Sequence, residues 1–418
     1  MTYIPRRLEA LLQDQSQTSP VIYLNGPRQA GKSTLVRHFS KETWPGQYST
    51  LDNPMQLAAA QMAPREYLTR TADRMIIDEV QMAPELFRVL KEVIDQRRTT
   101  QKVLDCQYLL TGSANIMGLP RLSDALVGRM TLLTLYPLAA SEFHAKGGLS
   151  KPWLERIFTH EFDGSSPTPL SLHEAMAWAT YPEISAQDER YRSQWLDAYI
   201  TTILQRDVKS LSDIQKLGQL PHLLRILATR AGGLLNDADI ARDAGLSHMT
   251  TRNYRSLLKL LFLAFDVPAW HRQIGKRLVK APKAYLMDTG MLCHLLGYQS
   301  TQDVLAHRPE LFGHVLENFV ATELLKQMSF YDKRLGLYHY RTGDGKEVDF
   351  VIEGLDGRVV GIEVKARAQI SRQDLAGLMS LEASCGADFV SGVILYGGSD
   401  LVQLADKIWA IPHSRLWQ

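Results

Sequence analysis

The chain has 418 residues, 45% hydrophobic and 22% charged, and a net charge of +2. That length allows two to four domains with substantial cores, and the near-neutral balance restricts any nucleic-acid surface to a local patch. Three scattered cysteines without C-x-x-C spacing argue against a disulfide framework or a zinc site.

The first residues lack a signal-peptide apolar stretch. The longest apolar run, LLKLLFLAF, is broken by Lys259 and stops too soon to span a bilayer. A cytoplasmic chain without a membrane partner is expected. No internal repeat or low-complexity segment is visible.

In chain order, VIYLNGPRQAGKSTLVRHF reads as an apolar strand, a glycine-bounded loop and an amphipathic helix. Gly26-x-x-x-x-Gly31-Lys32-Ser33 fits the Walker A pattern with both flanks in place. Gly26, Pro27, Arg28, Gln29, Ala30, Gly31, Lys32, Ser33 and Thr34 are the expected nucleotide-binding run. Loop amides and the helix N-terminus would cradle phosphates, Lys32 would reach the β- and γ-phosphates, and Ser33 would ligate Mg²⁺.

RMIIDEVQ is a second apolar strand ending in the Walker B pair Asp78-Glu79. Asp78 would hold Mg²⁺ through water, and Glu79 would polarise the attacking water. The strand YSTLD lies between the two motifs in sequence. QYLLTGSAN is another strand with a polar end, where Ser113 or Asn115 could sense the γ-phosphate.

The runs GPRQAGKST, LDNP, IIDEVQ, LLTGSAN and LVGRM…YPLAASEF resemble one bacterial and archaeal branch of AAA-type ATPases. That branch couples the ATPase to an uncharacterised C-terminal region. The resemblance continues through YPEI, YITTILQRDV and RTGDGKEVDFVIE…IEVKA, so it covers nearly the whole chain. It implies ATP and Mg²⁺ as cofactors and a homo-oligomer. It also implies that Arg129 or Arg121 touches a neighbouring subunit's nucleotide, with a local ion pair as the competing role.

AKGGLSKPWLERIFTHEFDGSSPTPL reads as loop, and residues 171–218 as helix without evident chemistry. LLRILATRAG, DADIARDAGL and SHMTTRNYRSLLKLLFL then read as three helices, with Ser247 capping the third. AWHRQIGKRLVKAPKAYLMD alternates like a two-stranded wing and concentrates Arg272, Lys276, Arg277, Lys280 and Lys283. The segment looks like a winged helix. Thr250, Thr251, Asn253, Arg255, Arg272, Lys276 and Arg277 are the candidate DNA contacts, with subunit packing as the alternative use.

The last chemistry sits in KEVDFVIEGLDGRVVGIEVKA, a β-hairpin around Asp356-Gly357. A two-residue turn would pair Asp349 with Val364. A three-residue loop, Leu355-Asp356-Gly357 with Gly357 left-handed, would pair Asp349 with Glu363. The second register is preferred, because it leaves one Val/Ile/Phe face buried and gathers both acids with Lys365 on the other.

Glu317, in the preceding helix, shares the apolar face of Val320 and Leu324, so its carboxylate needs a partner such as a metal or a cation. A helical Glu, then Asp, then Glu-x-Lys resembles the PD-(D/E)XK nuclease core, although Val348 stands where that family has Pro. The resemblance implies Glu317, Asp349 and Glu363 as metal-side acids for Mg²⁺ and Lys365 as the catalytic lysine.

The expected fold is α/β: a P-loop ATPase with a parallel sheet and helices on both faces (1–145), a helical extension (146–218), a winged helix (219–295) and a nuclease-like α/β domain (305–418). The expected function is an ATPase coupled to DNA binding and to Mg²⁺-dependent cleavage. The alternative is an ATP-dependent switch whose nuclease-like domain is an inactive DNA- or protein-binding platform.

Overall fold

The computed structural model describes residues 3–70, 74–100, 105–113, 128–143, 153–162, 170–207 and 217–418. Two compact units divide the chain: Met1–Leu138 with Leu260–Phe262, and Ala139–Lys259 with Leu263–Gln418.

The first unit is built on five strands: β1 (Val21–Asn25), β2 (Gln47–Thr50), β3 (Met75–Asp78), β4 (Tyr108–Gly112) and β5 (Met130–Thr134). Their spatial order is β2-β3-β4-β1-β5, and every pair is parallel. β1, β3 and β4 are buried at every position, which explains their near-continuous apolar sequences.

One sheet face, with Val21, Tyr23, Met75, Ile77, Tyr108 and Leu110, packs on Leu86, Phe87, Leu90, Val93 and Ile94 of the helix Glu85–Thr100. Truncating a side chain such as Phe87 to Ala would cost about 3–5 kcal/mol. Ile22, Leu24, Ile76 and Leu109 alternate to the other face and are equally buried. The two Walker strands are not neighbours, because β4 runs between β1 and β3.

In the second unit, the expected loop around WLERIFT is instead the helix Trp153–Thr159. Trp153, Leu154, Ile157 and Phe158 give it a buried stripe at helical spacing, which outweighs the Gly, Ser and Pro on either side. Helices Leu172–Trp178 and Glu189–Thr202 follow. Helices Leu220–Thr229, Asp237–Asp243 and His248–Leu260 come next, and the Ser247 hydroxyl accepts from the Thr250 amide at 3.1 Å as a cap.

The expected wing strands are displaced. The antiparallel pair is β6 (Ala264–Val267) with β7 (Lys283–Leu286). Most of AWHRQIGKRLVKAP is an excursion between them that carries the short helix Ile274–Arg277. The apolar AFDV, not the basic segment, supplies the first strand.

The 22-residue helix Pro309–Phe330 is about 33 Å long. Its Glu323 and Lys326 are fully buried and paired at 2.9 Å. Glu323 also accepts from the Ala140 amide at 3.0 Å.

A mixed six-stranded sheet follows: β8 (Leu335–Arg341), β9 (Glu347–Gly354), β10 (Val359–Lys365), β11 (Phe389–Tyr396), β12 (Val402–Ala405) and β13 (Ile408–Pro412), in spatial order β12-β13-β11-β10-β9-β8. The helix Ala376–Cys385 connects the parallel pair β10–β11 and packs Leu378 and Leu381 onto Val348, Val351 and Val359.

Candidate functional site

The phosphate-type loop lies at the carboxyl end of β1, where the order of the parallel sheet reverses and open α/β sheets take their ligands. Gly26 has φ +145°, and a Cβ there would stand 2.1 Å from the Leu135 carbonyl oxygen, so only glycine fits. Gln29, in the same loop, is left-handed at φ +60°. Gly31 precedes the helix Lys32–Glu42, which places Lys32 and Ser33 in its first turn and leaves Thr34 exposed.

The Lys32 ammonium donates to the carbonyls of Gly26 (2.9 Å) and Pro27 (2.7 Å). Arg6, which carried no signal in the sequence, holds the loop from outside. Its guanidinium donates to the carbonyls of Ala30 at 2.8 Å and Tyr136 at 2.7 Å.

At the end of β3, Asp78 accepts from the Tyr48 hydroxyl at 2.5 Å and from the Thr111 hydroxyl. Burial first, and then the hydrogen bond to Asp78, push the Tyr48 phenol up to about 12. Arg37 lies 4.3 Å over the Tyr48 ring. Glu79 is left-handed at φ +58°, a costly conformation for a non-glycine residue that concentrates at functional sites.

Glu79 accepts from Gln81 and from the Ser113 hydroxyl at 3.2 Å, and Gln81 also donates to Ser113 at 3.1 Å. Strands β3 and β4 therefore bring Asp78, Glu79 and Ser113 together. Asn115 and Arg121 lie outside the described residues.

Ser33 and Asp78 are hard oxygen donors, and each Asp78 oxygen keeps a lone pair after its one hydrogen bond. This donor set suits Mg²⁺. Arg129 is held by Asp95 through bonds of 2.6 and 2.9 Å, which lowers the Asp95 carboxyl below its usual range.

The expected DNA contacts divide by burial. Thr251 is fully buried and its hydroxyl donates to the Ser247 carbonyl. Arg255 is buried between Asp237 and Asp266, and Arg277 binds Glu353 while stacking on Trp270 and Tyr338. These three are structural and do not reach out to a base edge. Thr250 is half-buried, and its amide and hydroxyl both bond the Ser247 hydroxyl. Asn253, Arg272 and Lys276 are exposed.

At the C-terminal cluster, the Gly354 amide bonds the Arg358 carbonyl at 2.9 Å across the three-residue loop, and Gly357 is left-handed at φ +81°. The β9–β10 pairing follows the preferred register down to Ile362↔Phe350. A bulge then intervenes. Tyr338 pairs with Val351 and Tyr340 with Val348, so β9 has an extra residue at Asp349-Phe350.

The expectation of a single buried Val/Ile/Phe face is thereby corrected. β9 and β10 are interior strands, with Val348, Val351 and Val359 in the core under Ala376–Cys385. Phe350 lies 5.7 Å from Tyr285.

Asp349 accepts from the Val364 amide at 2.9 Å, and Glu363 takes the Asp349 amide at 3.4 Å. Lys365 donates to Glu363 at 2.6 Å. The partner of Glu317 is Lys283, whose ammonium lies 2.8 Å from Glu317 Oε1 and 3.3 Å from Asp349 Oδ1. The Tyr285 hydroxyl donates to the same Glu317 oxygen at 2.7 Å. Gly232, at φ +78°, lies against this carboxylate, and a Cβ there would stand 3.2 Å from Oε2.

Three carboxyl groups face two ammoniums here, one acid more than the buried cations can pair. Burial, then Asp349, lifts Glu317 to about 7 and Glu363 to about 8. Lys283 stays firmly charged, because attraction to Asp349 and Glu317 overcomes its burial.

These residues do not fit a bound metal as they stand. The side expected to face Mg²⁺ is filled by Lys283, and no group of three or more acidic, His or Cys side chains among the described residues is arranged to hold one. In the sequence Lys283 counts with the basic wing, and Tyr285 carries no chemical signal. Their signal was alternation within KAYL, which turns both residues to one face.

Fold and site together define an AAA-type P-loop ATPase with a C-terminal mixed-sheet domain. Residues 18–144 match an AAA domain, residues 170–302 match Domain of unknown function DUF8612, and residues 312–416 match Domain of unknown function DUF4143. The chain belongs to the same family as Uncharacterized protein Rv2008c of Mycobacterium tuberculosis. The two are 30% identical over 416 residues, covering 98% of this chain and 84% of that one.

A Haemophilus influenzae relative, also called an uncharacterized protein, is 24% identical over 289 residues, or 67% of this chain and 63% of that protein. Among solved structures, the Walker-type ATPase PABY2304 of Pyrococcus abyssi aligns with 70% of this chain and 96% of its own, at 14% identity and a TM-score of 0.42. No helix among the described residues is long and apolar enough to cross a membrane.

Proposed function

We propose that the chain hydrolyses ATP at the P-loop and acts as a nucleotide-controlled, nucleic-acid-binding homo-oligomer in the cytoplasm. The observation that carries hydrolysis is the Glu79–Ser113–Gln81 cluster at the ends of β3 and β4, beside Asp78. Lys32 exchanges two neutral carbonyls for phosphate oxygens. Glu79 orients a water for attack on the γ-phosphorus and draws off its proton as the bond to ADP breaks. Ser113 fixes Glu79 and is placed to sense the γ-phosphate. Ser33 and Asp78 would hold a Mg²⁺, which would supply neutralisation of phosphate charge.

DNA binding is supported by the excursion between β6 and β7. No acidic residue occurs from Pro268 to Lys283, and Arg272, Lys276 and Lys280 are exposed there. Ile274, Leu278 and Val279 project beside them, each more than two-thirds exposed. Basic residues flanking exposed apolar ones suit a duplex read through backbone charge and groove insertion. Arg277 anchors the base of the excursion on Glu353, Trp270 and Tyr338.

In this reading the C-terminal domain is a binding platform. The second reading, DNA cleavage, is favoured by one observation: β9, β10 and the helix Pro309–Phe330 gather Glu317, Asp349, Glu363 and Lys365.

The test is ATP turnover, with and without duplex DNA, for wild type, Lys32→Ala and Glu79→Gln, alongside nicking of supercoiled DNA. Turnover stimulated by DNA and lost in both variants supports the proposal. Nicking that disappears in Asp349→Ala would shift the C-terminal assignment to the second reading. No turnover in wild type would remove the first.

A further inference from the structure

We infer that Lys283 is a built-in cation that closes the C-terminal acid cluster to divalent metal, and that metal enters only when Lys283 withdraws. The inference rests on reading Glu317, Asp349 and Glu363 as a metal-type acid set.

The geometry is specific. One ammonium, buried with its residue 6% exposed, lies within ion-pair distance of carboxylates from two elements, the helix Pro309–Phe330 and strand β9. A hard divalent ion would need the same oxygens, Glu317 Oε1 and Asp349 Oδ1. Those oxygens cannot serve both cations, because the ammonium and the metal would repel each other at that separation.

Tyr285 donates to Glu317 Oε1, the Val364 amide to Asp349 Oδ2 and Lys365 to Glu363 Oε1. Each is a single donor on an oxygen with two lone pairs, so the acceptor sites that Lys283 fills are the ones its removal frees.

Lys283 is also the residue at which the exposed basic excursion rejoins the sheet. It begins β7, and its backbone bridges to Leu234 in the turn after Gly232. The ammonium is thus fixed by strand position and not by a flexible loop. Withdrawing it requires either a rotamer change inside the cluster or a shift of β7 itself.

Two experiments on the full chain without nucleotide decide the matter. The first is Mn²⁺ binding by electron paramagnetic resonance. Wild type and Asp349→Asn should bind alike, with no Asp349-dependent site. Lys283→Met should gain one Mn²⁺ at least about tenfold tighter, the scale on which neighbouring groups tune metal affinity. The double variant Lys283→Met/Asp349→Asn should lose it. A folded Lys283→Met that gains no Mn²⁺ refutes the acid-set reading.

The second uses wild type alone, so it stands even if the variant does not fold. Amine acylation is followed by mass spectrometry. Lys283 should label at least about tenfold more slowly than exposed Lys276, and Mn²⁺ should leave that ratio unchanged. Labelling as fast as Lys276 refutes the latch. So does Asp349-dependent Mn²⁺ binding in wild type that leaves Lys283 protected.

Discussion

Two buried lysines, Lys32 and Lys283, bond to different kinds of oxygen. Lys32 rests on the neutral carbonyls of Gly26 and Pro27, at the rim of a sheet whose strand ends point toward it. Lys283 rests on two carboxylates that are themselves buried. A hydrogen bond from an ammonium to a phosphate oxygen is charge-assisted on both sides, so an arriving phosphate is a better partner than either carbonyl. Carboxylates cancel that charge, and losing them would leave ions unpaired in a low dielectric. Hence one lysine is poised to bind and the other to hold.

The contrast is broken most directly by removing each ammonium. Lys32→Ala is expected to lower ATP turnover by about 10²–10³-fold, the scale for losing a donor aimed at transition-state charge. Its unfolding free energy should fall by no more than about 1–3 kcal/mol, the cost of unsatisfied acceptors. A variant that keeps full turnover would show that Lys32 does not reach the nucleotide.

Lys283→Ala should do the reverse, costing about 3–5 kcal/mol of unfolding free energy in urea titrations at pH 8 while leaving ATP binding unchanged. If it unfolds no more easily than wild type, the cluster is not held by charge.

The pH dependence sharpens the same point. Glu317 and Glu363 bind protons more tightly in the folded chain, near pH 7 and 8, than at their ordinary value of 4.5. The folded state then carries more protons than the unfolded one between those limits. This contribution is full below about pH 4.5 and lost as pH rises through 7 to 8. Glu317→Gln should remove part of that decline, on the order of 2–3 kcal/mol. A wild-type stability that stays flat or rises from pH 5 to 8, with no difference in Glu317→Gln, would contradict the excess of acids over buried cations in the cluster.

The smallest effects separate a buried arginine of the third helix from an exposed lysine of the excursion between β6 and β7. Arg255→Ala should cost about 1–3 kcal/mol, because Asp237 and Asp266 lose their shared partner. Lys276→Ala should change stability by less than about 0.5 kcal/mol and reduce the salt dependence of DNA binding by about one ion. Equal stability losses would mean that the burial contrast has no energetic weight.

Strand and helix positions in the ATPase unit were legible because parallel central strands are apolar throughout and Gly26, Gly31 and Lys32 have narrow structural reasons to recur at that spacing. The hairpin loop was legible for the same kind of reason, since Gly357 at the left-handed position sets the register. What stayed hidden depends on contacts distant in sequence. Tyr48 and Thr111 reach Asp78 from 30 and 33 residues away, and Lys283 reaches Asp349 across 66.

The basic residues after Trp270 advertise a charged surface, but composition does not say which of them turn inward. Arg277 and Lys283 do, and Lys276 and Lys280 do not. The bulge at Asp349-Phe350 is defined by the register between β8 and β9, which no local residue pattern announces.

Glu317 and Glu323 lie on the same buried helix, six residues and about 9 Å apart along its axis. One carboxylate grips Lys283, and the other grips the amide of Ala140. A close-packed rod of this kind transmits a push with little compression. Mechanically the helix is a tie-bar. A shift of the backbone at Ala140 would arrive at the Glu317 end as displacement rather than being absorbed along the way.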